Sequence, residues 1–210
     1  KSLLFMSMGA VMHQTGKINV TDLGGLYKTM PLTTLFCIIG AASISGFPLF
    51  NGFVSKSMIT GAAAQDGMGI LWLVLLFASA GVLHHAGIKV PYHAFFSHDS
   101  GLRAKEPPFN MLVAMGIAAS LCIFIGVVPG ALYSILPSPV EYQPYTAGHV
   151  VEIFQLLSFA VLAFCLLILS GLHPVETKVI LLDTDWFYRK GAKVFYRLAN
   201  RILGPNHEES

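Results

Sequence analysis

The chain has 210 residues, 54% hydrophobic and only 11% charged, with a formal net charge of +2. Soluble domains carry about 25% charged residues, so this is the composition of an integral membrane protein. The small positive excess leaves no broad basic surface for nucleic acid. Cys37, Cys122 and Cys165 lie inside apolar runs and read as packing residues, not as a disulfide set or a metal site.

In chain order, Lys1 and Ser2 lead straight into Leu3-Leu4-Phe5-Met6. Lys1 to Met12 therefore reads as the second half of a membrane helix, and the chain as the C-terminal portion of a larger protein. His13 to Met30 is a loop holding Gly24-Gly25, with a short helix expected at Thr21-Asp22. Pro31 suits the first position of a helix that runs to about Ser45. Gly46, Pro48 and Gly52 then interrupt membrane-grade sequence. Proline removes a backbone donor and pushes its neighbour out of the helical region, so a break is predicted here, with a second helix continuing to about Ala64. Gln65-Asp66-Gly67 is a turn. Ile70 to Lys89, Phe109 to Val128 and Val150 to Leu169 are full spans. The first is expected to end or kink at Pro91, and the loops after the first two are Ser97 to Pro108 and Pro137 to His149.

Beyond the last span the character changes. Arg189, Lys193, Arg197 and Arg201 recur every four residues within Asp183 to Leu203, with Phe187, Val194, Leu198 and Ile202 on another side and Trp186, Tyr188, Phe195 and Tyr196 interspersed. This pattern predicts a helix lying in the membrane plane with its bases toward headgroups or water. A helix docked on a partner protein is the alternative. The reading is thus an all-α, polytopic membrane helix bundle with one discontinuous helix, residues 1–172, followed by a cytoplasmic amphipathic tail, residues 173–210. Bases after the last span put the C-terminus in the cytoplasm under the positive-inside rule. The loop with Arg103 and Lys105 is then also cytoplasmic, and Pro137 to His149 lies outside. Counting back further puts the loop with Lys17 and Lys28 outside as well, against the rule.

A lysine beside a helix break in apolar sequence is costly to keep and marks a functional site. Lys56, flanked by Val54, Met58 and Ile59, is such a residue. The plainer alternative is that it snorkels to water from a helix start. His85, Lys89 and His93 are spaced by four and share a helix face if Pro91 only kinks the helix. Histidine titrates near neutrality and burial disfavours a charged amine, so such a row can pass protons. Interfacial snorkelling is the alternative for Lys89 and His93. His84 faces elsewhere, and His13 and His149 read as loop residues without a function. No acidic residue lies deep in a span, and no phosphate loop, Ser/His/Asp set or metal spacing is present, so neither cofactor nor catalytic residue is expected.

Lys1-Ser2-Leu3-Leu4-Phe5-Met6, Leu23-Gly24-Gly25-Leu26 before Met30-Pro31-Leu32, and Ser45-Gly46-Phe47-Pro48 through Gly52-Phe53-Val54-Ser55-Lys56 resemble the second half of the antiporter-like subunits. These occur in Mrp-type cation/proton antiporters and in the membrane arm of respiratory complex I. His84 to Tyr92 and Leu182 to Arg189 are most similar to the D branch of the Mrp subunits. The resemblance implies two inverted repeats of helices, each with a discontinuous helix. It also implies that Lys1 is a central relay lysine and Lys56 the lysine of the broken helix. The implied partners are protons, Na+ or another monovalent cation, other membrane subunits and the lipid bilayer. The implied location is a bacterial plasma membrane. The family's glutamate–lysine pair and the histidine one turn before Lys1 have no counterpart in this chain. A proton-pumping subunit of a redox-driven complex and a purely structural membrane subunit are the competing classes.

Overall fold

The computed structural model describes residues 1–171 and 184–203. Contacts divide the chain into two compact units, Lys1–Val175 and Glu176–Ser210. The described residues of the first unit are helices and loops: α1 Ser2–Thr15, α2 Pro31–Ser45, α3 Asn51–Gln65, α4 Gly69–Phe96, α5 Phe109–Val127, the short α6 Pro129–Tyr133 and α7 Ala147–Leu169. Of these, α4, α5 and α7 are long and apolar enough to cross a membrane. The chain is an integral membrane protein with an all-helical fold. Single 3-10 turns at Val20–Asp22 and Leu26–Lys28 punctuate the loop between α1 and α2, the first where Thr21-Asp22 predicted a helix start.

Two small apolar clusters hold the bundle. Leu4 and Val11 of α1 meet Cys37 and Ala41 of α2, Leu23, Leu26 and Met30 of the intervening loop, and Ala94 and Phe95 of α4. Leu3 and Ala10, on another side of α1, pack with Met115 and Ala119 of α5. Most large apolar side chains of α4, α5 and α7 are instead exposed on the unit, as helices bathed in lipid or covered by further helices require.

The chain runs through Pro91 without stopping. α4 continues to Phe96 through two widened stretches, Leu83–Lys89 and Tyr92–Phe96, in which the backbone bonds span five residues rather than four. The Ser97 N–H, for instance, reaches the Tyr92 carbonyl at 2.7 Å. Proline lacks a donor and crowds the preceding turn, and π-type turns on both sides absorb the misfit. The expected end at Pro91 is therefore a local widening. α7 likewise starts earlier than expected, at Ala147, because the Thr146 hydroxyl accepts the His149 N–H at 3.4 Å as an N-cap.

The loops place the ends of the helices. Glu106, between α4 and α5, caps α2: its carboxylate accepts the Leu32 N–H and the Thr33 hydroxyl, both at 2.6 Å. An anion is favoured at a helix N-terminus, where unpaired N–H groups point outward. The Gln14 side chain donates to the Glu106 carbonyl at 3.3 Å, and the Ser100 hydroxyl donates to the Gly24 carbonyl at 3.0 Å. The α1–α2 and α4–α5 loops thus share one end of the bundle. α4 crosses once and follows α3 directly, so α2 and α3 together make a single crossing with a break in it. This corrects the placement of the loop with Lys17 and Lys28 opposite the loop with Arg103 and Lys105. Lys17, Lys28, Arg103 and Lys105 all lie at one end, and the opposite loops, residues 66–68 and 134–146, contain no Lys or Arg.

In the second unit α8, Asp185–Leu203, separates its chemistry around the helix. Trp186, Arg189, Lys190 and Lys193 share one groove, Arg189 pairs with Asp185, and the side chains of Phe187, Val194, Phe195 and Leu198 are exposed. Asp183, the Ile202 side chain and the proposed boundary at residues 172 and 173 lie outside the described residues.

Candidate functional site: a lysine at a broken helix

The break is built by a few local decisions. Gly46 sits at φ 83°, the left-handed geometry that ends α2, and its N–H and that of Phe47 return to the carbonyls of Ser43 and Ala42 at 3.1 and 3.0 Å. Leu49 also adopts a positive φ of 75°, which costs a β-carbon residue about 1–3 kcal/mol. The chain then re-enters helix at Asn51, whose side-chain oxygen accepts the Ser43 hydroxyl. Gly52 presses directly on α2, and a β-carbon there would overlap the Ser43 carbonyl. Backbone groups freed inside a membrane protein are tolerated only where protein or water satisfies them. Here the cap bonds and the Ser43–Asn51 pair do part of that work.

Lys56 lies just beyond this break. Its alkyl stem packs on Gly46, and its Nζ donates to the Ser79 hydroxyl of α4 at 3.2 Å. Beside it is a cavity of about 30 Å³ bordered by Ser45, Phe53, Ser57, Thr60, Ile153 and Leu157. A water molecule needs roughly 10–15 Å³ by this measure, so the space is of the order of one water. The ammonium is thus half-buried among small hydroxyl side chains. Ser79, which sequence reasoning passed over, is its direct partner, and only its place in the α3–α4 hairpin marks it.

The remaining residues singled out from the sequence are placed unevenly. Pro48 lies in the break, between Gly46 and Leu49. Lys1 is exposed at the start of α1, which packs on α2 and α5. Lys89 and His93 are partly buried on α4 toward the Glu106 end, whereas His85 is exposed on the unit. His84 turns inward instead: its ring meets Phe164 of α7 at 5.4 Å, and Tyr92 meets the same Phe164 at 6.0 Å and His93 at 5.0 Å. His149 is not in a loop but in the first turn of α7, its ring 5.3 Å from that of Phe53.

These features define a class: an all-helical membrane protein organised on a lysine at a discontinuous helix. Residues 1–83 match the family described as NADH:quinone oxidoreductase/Mrp antiporter, transmembrane. Among curated proteins, the Na(+)/H(+) antiporter subunit A1 of Staphylococcus aureus strains JH9 and Newman is 34% identical over 152 residues, which is 66% of this chain and 19% of the relative. The matched part thus spans about a fifth of the relatives' length. Among solved structures, a chain of the membrane-bound sulfane sulfur reductase, an archaeal respiratory membrane complex, shares the fold with a TM-score of 0.65 at 22% identity, covering 99% of this chain and 42% of that one. The chain resembles the antiporter-like subunits of the Mrp and complex I membrane proteins.

Proposed function

We propose that the chain is part of a proton-translocating subunit of a multisubunit monovalent cation/proton antiporter, with Lys56 as the relay lysine. A transporter subunit rather than an enzyme is the reading that the named relatives favour. The observation that carries it is the half-buried Lys56 ammonium on Ser79, beside a water-sized cavity at a helix break. A cavity that hydrates freed backbone groups also hydrates an ammonium, so the break and the lysine account for each other. Lys56→Ala in the complete protein is the test. Assignment to the D branch of the Mrp subunits rests on the His84 to Tyr92 and Leu182 to Arg189 blocks, and the subunit A1 relatives weigh against it. A redox-driven proton pump is the second reading, favoured by the likeness in fold to a respiratory complex. The neighbouring genes separate the two, as antiporter subunits or as quinone and iron–sulfur subunits.

Lys1, His85, Lys89 and His93 are assigned to the same relay. Along α4 the row leads from the level of Ser79 toward the Glu106 end. His85→Ala should slow transport more than His84→Ala, because His84 is a packing contact on Phe164, whereas His85 is exposed on the unit, its ring edge-on to that of His84 at 5.3 Å. If both variants transport normally, or His84→Ala is the slower, the row is structural.

The end carrying Lys17, Lys28, Arg103 and Lys105 is assigned to the cytoplasm of a bacterial cell under the positive-inside rule. The residue 173–210 tail is assigned to the cytoplasm as well, on the bases it carries. Arg189, Lys193, Arg197 and Arg201 of α8 then meet anionic headgroups. In a cysteine-free background, Val194→Cys should be shielded from a membrane-impermeant thiol reagent more than Lys193→Cys in anionic vesicles, and the shielding should fall as salt rises. Equal shielding in neutral vesicles would indicate docking on protein.

A further inference from the structure

Among the described residues of the first unit, the His149 Nε2 and the Tyr133 hydroxyl are buried without a hydrogen-bond partner and are used by nothing above. Both lie at the end of the bundle that carries no Lys or Arg. His149 stands on Phe53, which itself borders the Lys56 cavity. On α7, His149 is one turn before Ile153, another wall of that cavity, so the two share a helix face. The His149 Nδ1 is 3.8 Å from the exposed Glu152 carboxylate. Tyr145 also stacks near Phe53, at 5.2 Å, and donates its hydroxyl to the Gly126 carbonyl, while Tyr142 packs on Gly61 of α3. Burial holds the Tyr133 and Tyr145 phenols above their usual range, so they remain neutral donors.

Buried polar atoms are almost always satisfied by protein or ordered water. The orphaned His149 Nε2, one Phe53 ring away from the Lys56 cavity, therefore calls for a water partner at this end of the bundle. We propose that His149 and Glu152 form the mouth through which protons pass between the Lys56 cavity and the water at this end, with Glu152 as the surface antenna, His149 as the carrier and the tyrosines lining the passage. The proposal rests on the relay reading of Lys56. An imidazole has two ring nitrogens, so it can take a proton on one side and release it on the other, as a carrier needs. The titratable groups around it are Glu152 on its own helix and, across the Phe53 ring, Tyr145 of the preceding loop and Lys56 of α3, with Tyr142 and Tyr133 beside Tyr145 or at the same end.

The test uses the complete protein in vesicles. His149→Gln keeps the shape and hydrogen-bonding capacity but cannot carry a proton. It should slow proton-coupled transport about a hundredfold, the lower end of what a general acid–base group contributes, and flatten its pH dependence. Glu152→Gln, at an exposed position that tolerates exchange, should slow transport, because no carboxylate is left to collect protons at the surface. A wild-type rate and profile in His149→Gln, with Lys56→Ala inactive, would overturn the mouth and leave the Lys56 reading standing. A wild-type rate in Glu152→Gln would also count against it. Normal transport in Lys56→Ala would remove both.

Discussion

Replacing Lys56 with alanine is expected to abolish proton-coupled transport while the protein still assembles. The argument begins with cost. An ammonium half-buried at a break in a membrane helix is expensive, and the chain sets serines, a threonine and a small cavity around it. Nothing in the packing needs the charge: Lys56 lies in neither apolar cluster, and its hydrogen bond is to one hydroxyl. Removing it should therefore leave stability near wild type. It also removes the only titratable side chain among the described residues that border the cavity. Assembly is read by size-exclusion chromatography and transport by a pH-sensitive dye in vesicles. Full transport by the alanine variant would end the relay account.

The second large effect concerns the break itself. Gly52→Ala puts a β-carbon onto the Ser43 carbonyl, a backbone atom that cannot swing aside as a side chain would. Over-packing of this kind costs about 1–3 kcal/mol, and here it pushes α3 away from α2 at the point where the Lys56 stem rests on Gly46. A lowered Tm together with lost transport is expected. Gly9→Ala in α1 is the control, since a β-carbon there meets nothing within 4 Å. It should be neutral or stabilise by up to about 1 kcal/mol, as alanine is the better helix former. Equal tolerance of both changes would mean that the close contact at Gly52 does not set the break.

The discontinuous helix was legible because its signal is local. Gly46, Pro48 and Gly52 punctuate a run that is otherwise uniformly apolar, and α2 ends at the glycine and α3 restarts just after Leu49 and Phe50. The capping of α2 was not legible, because Glu106 reaches Leu32 and Thr33 from a loop 74 and 73 residues away in sequence. The continuation of α4 past Pro91 was missed for a different reason. A proline rule weighs one missing donor, and the widened turns on either side share that loss over a dozen residues. The loop with Lys17 and Lys28 was expected opposite Arg103 and Lys105, because counting crossings along a chain with a broken helix does not by itself fix the side. The bonds between the two loops put them at one end. Lys56 stands out in the sequence as a cation beside the break, but its partner Ser79 is an ordinary serine in an apolar helix, fixed by the α3–α4 hairpin register and invisible to residue type. His149 was set aside as a loop residue because the start of α7 was placed three residues late.

The most direct measurement of the central claim is proton-coupled transport by Lys56→Arg in vesicles. Arginine keeps the charge and the reach but holds its proton at every working pH. A relay lysine must release its proton in each cycle, so the account predicts transport close to that of the alanine variant, with assembly unchanged. Wild-type transport by Lys56→Arg would contradict it and show that a fixed positive charge at the broken helix is sufficient.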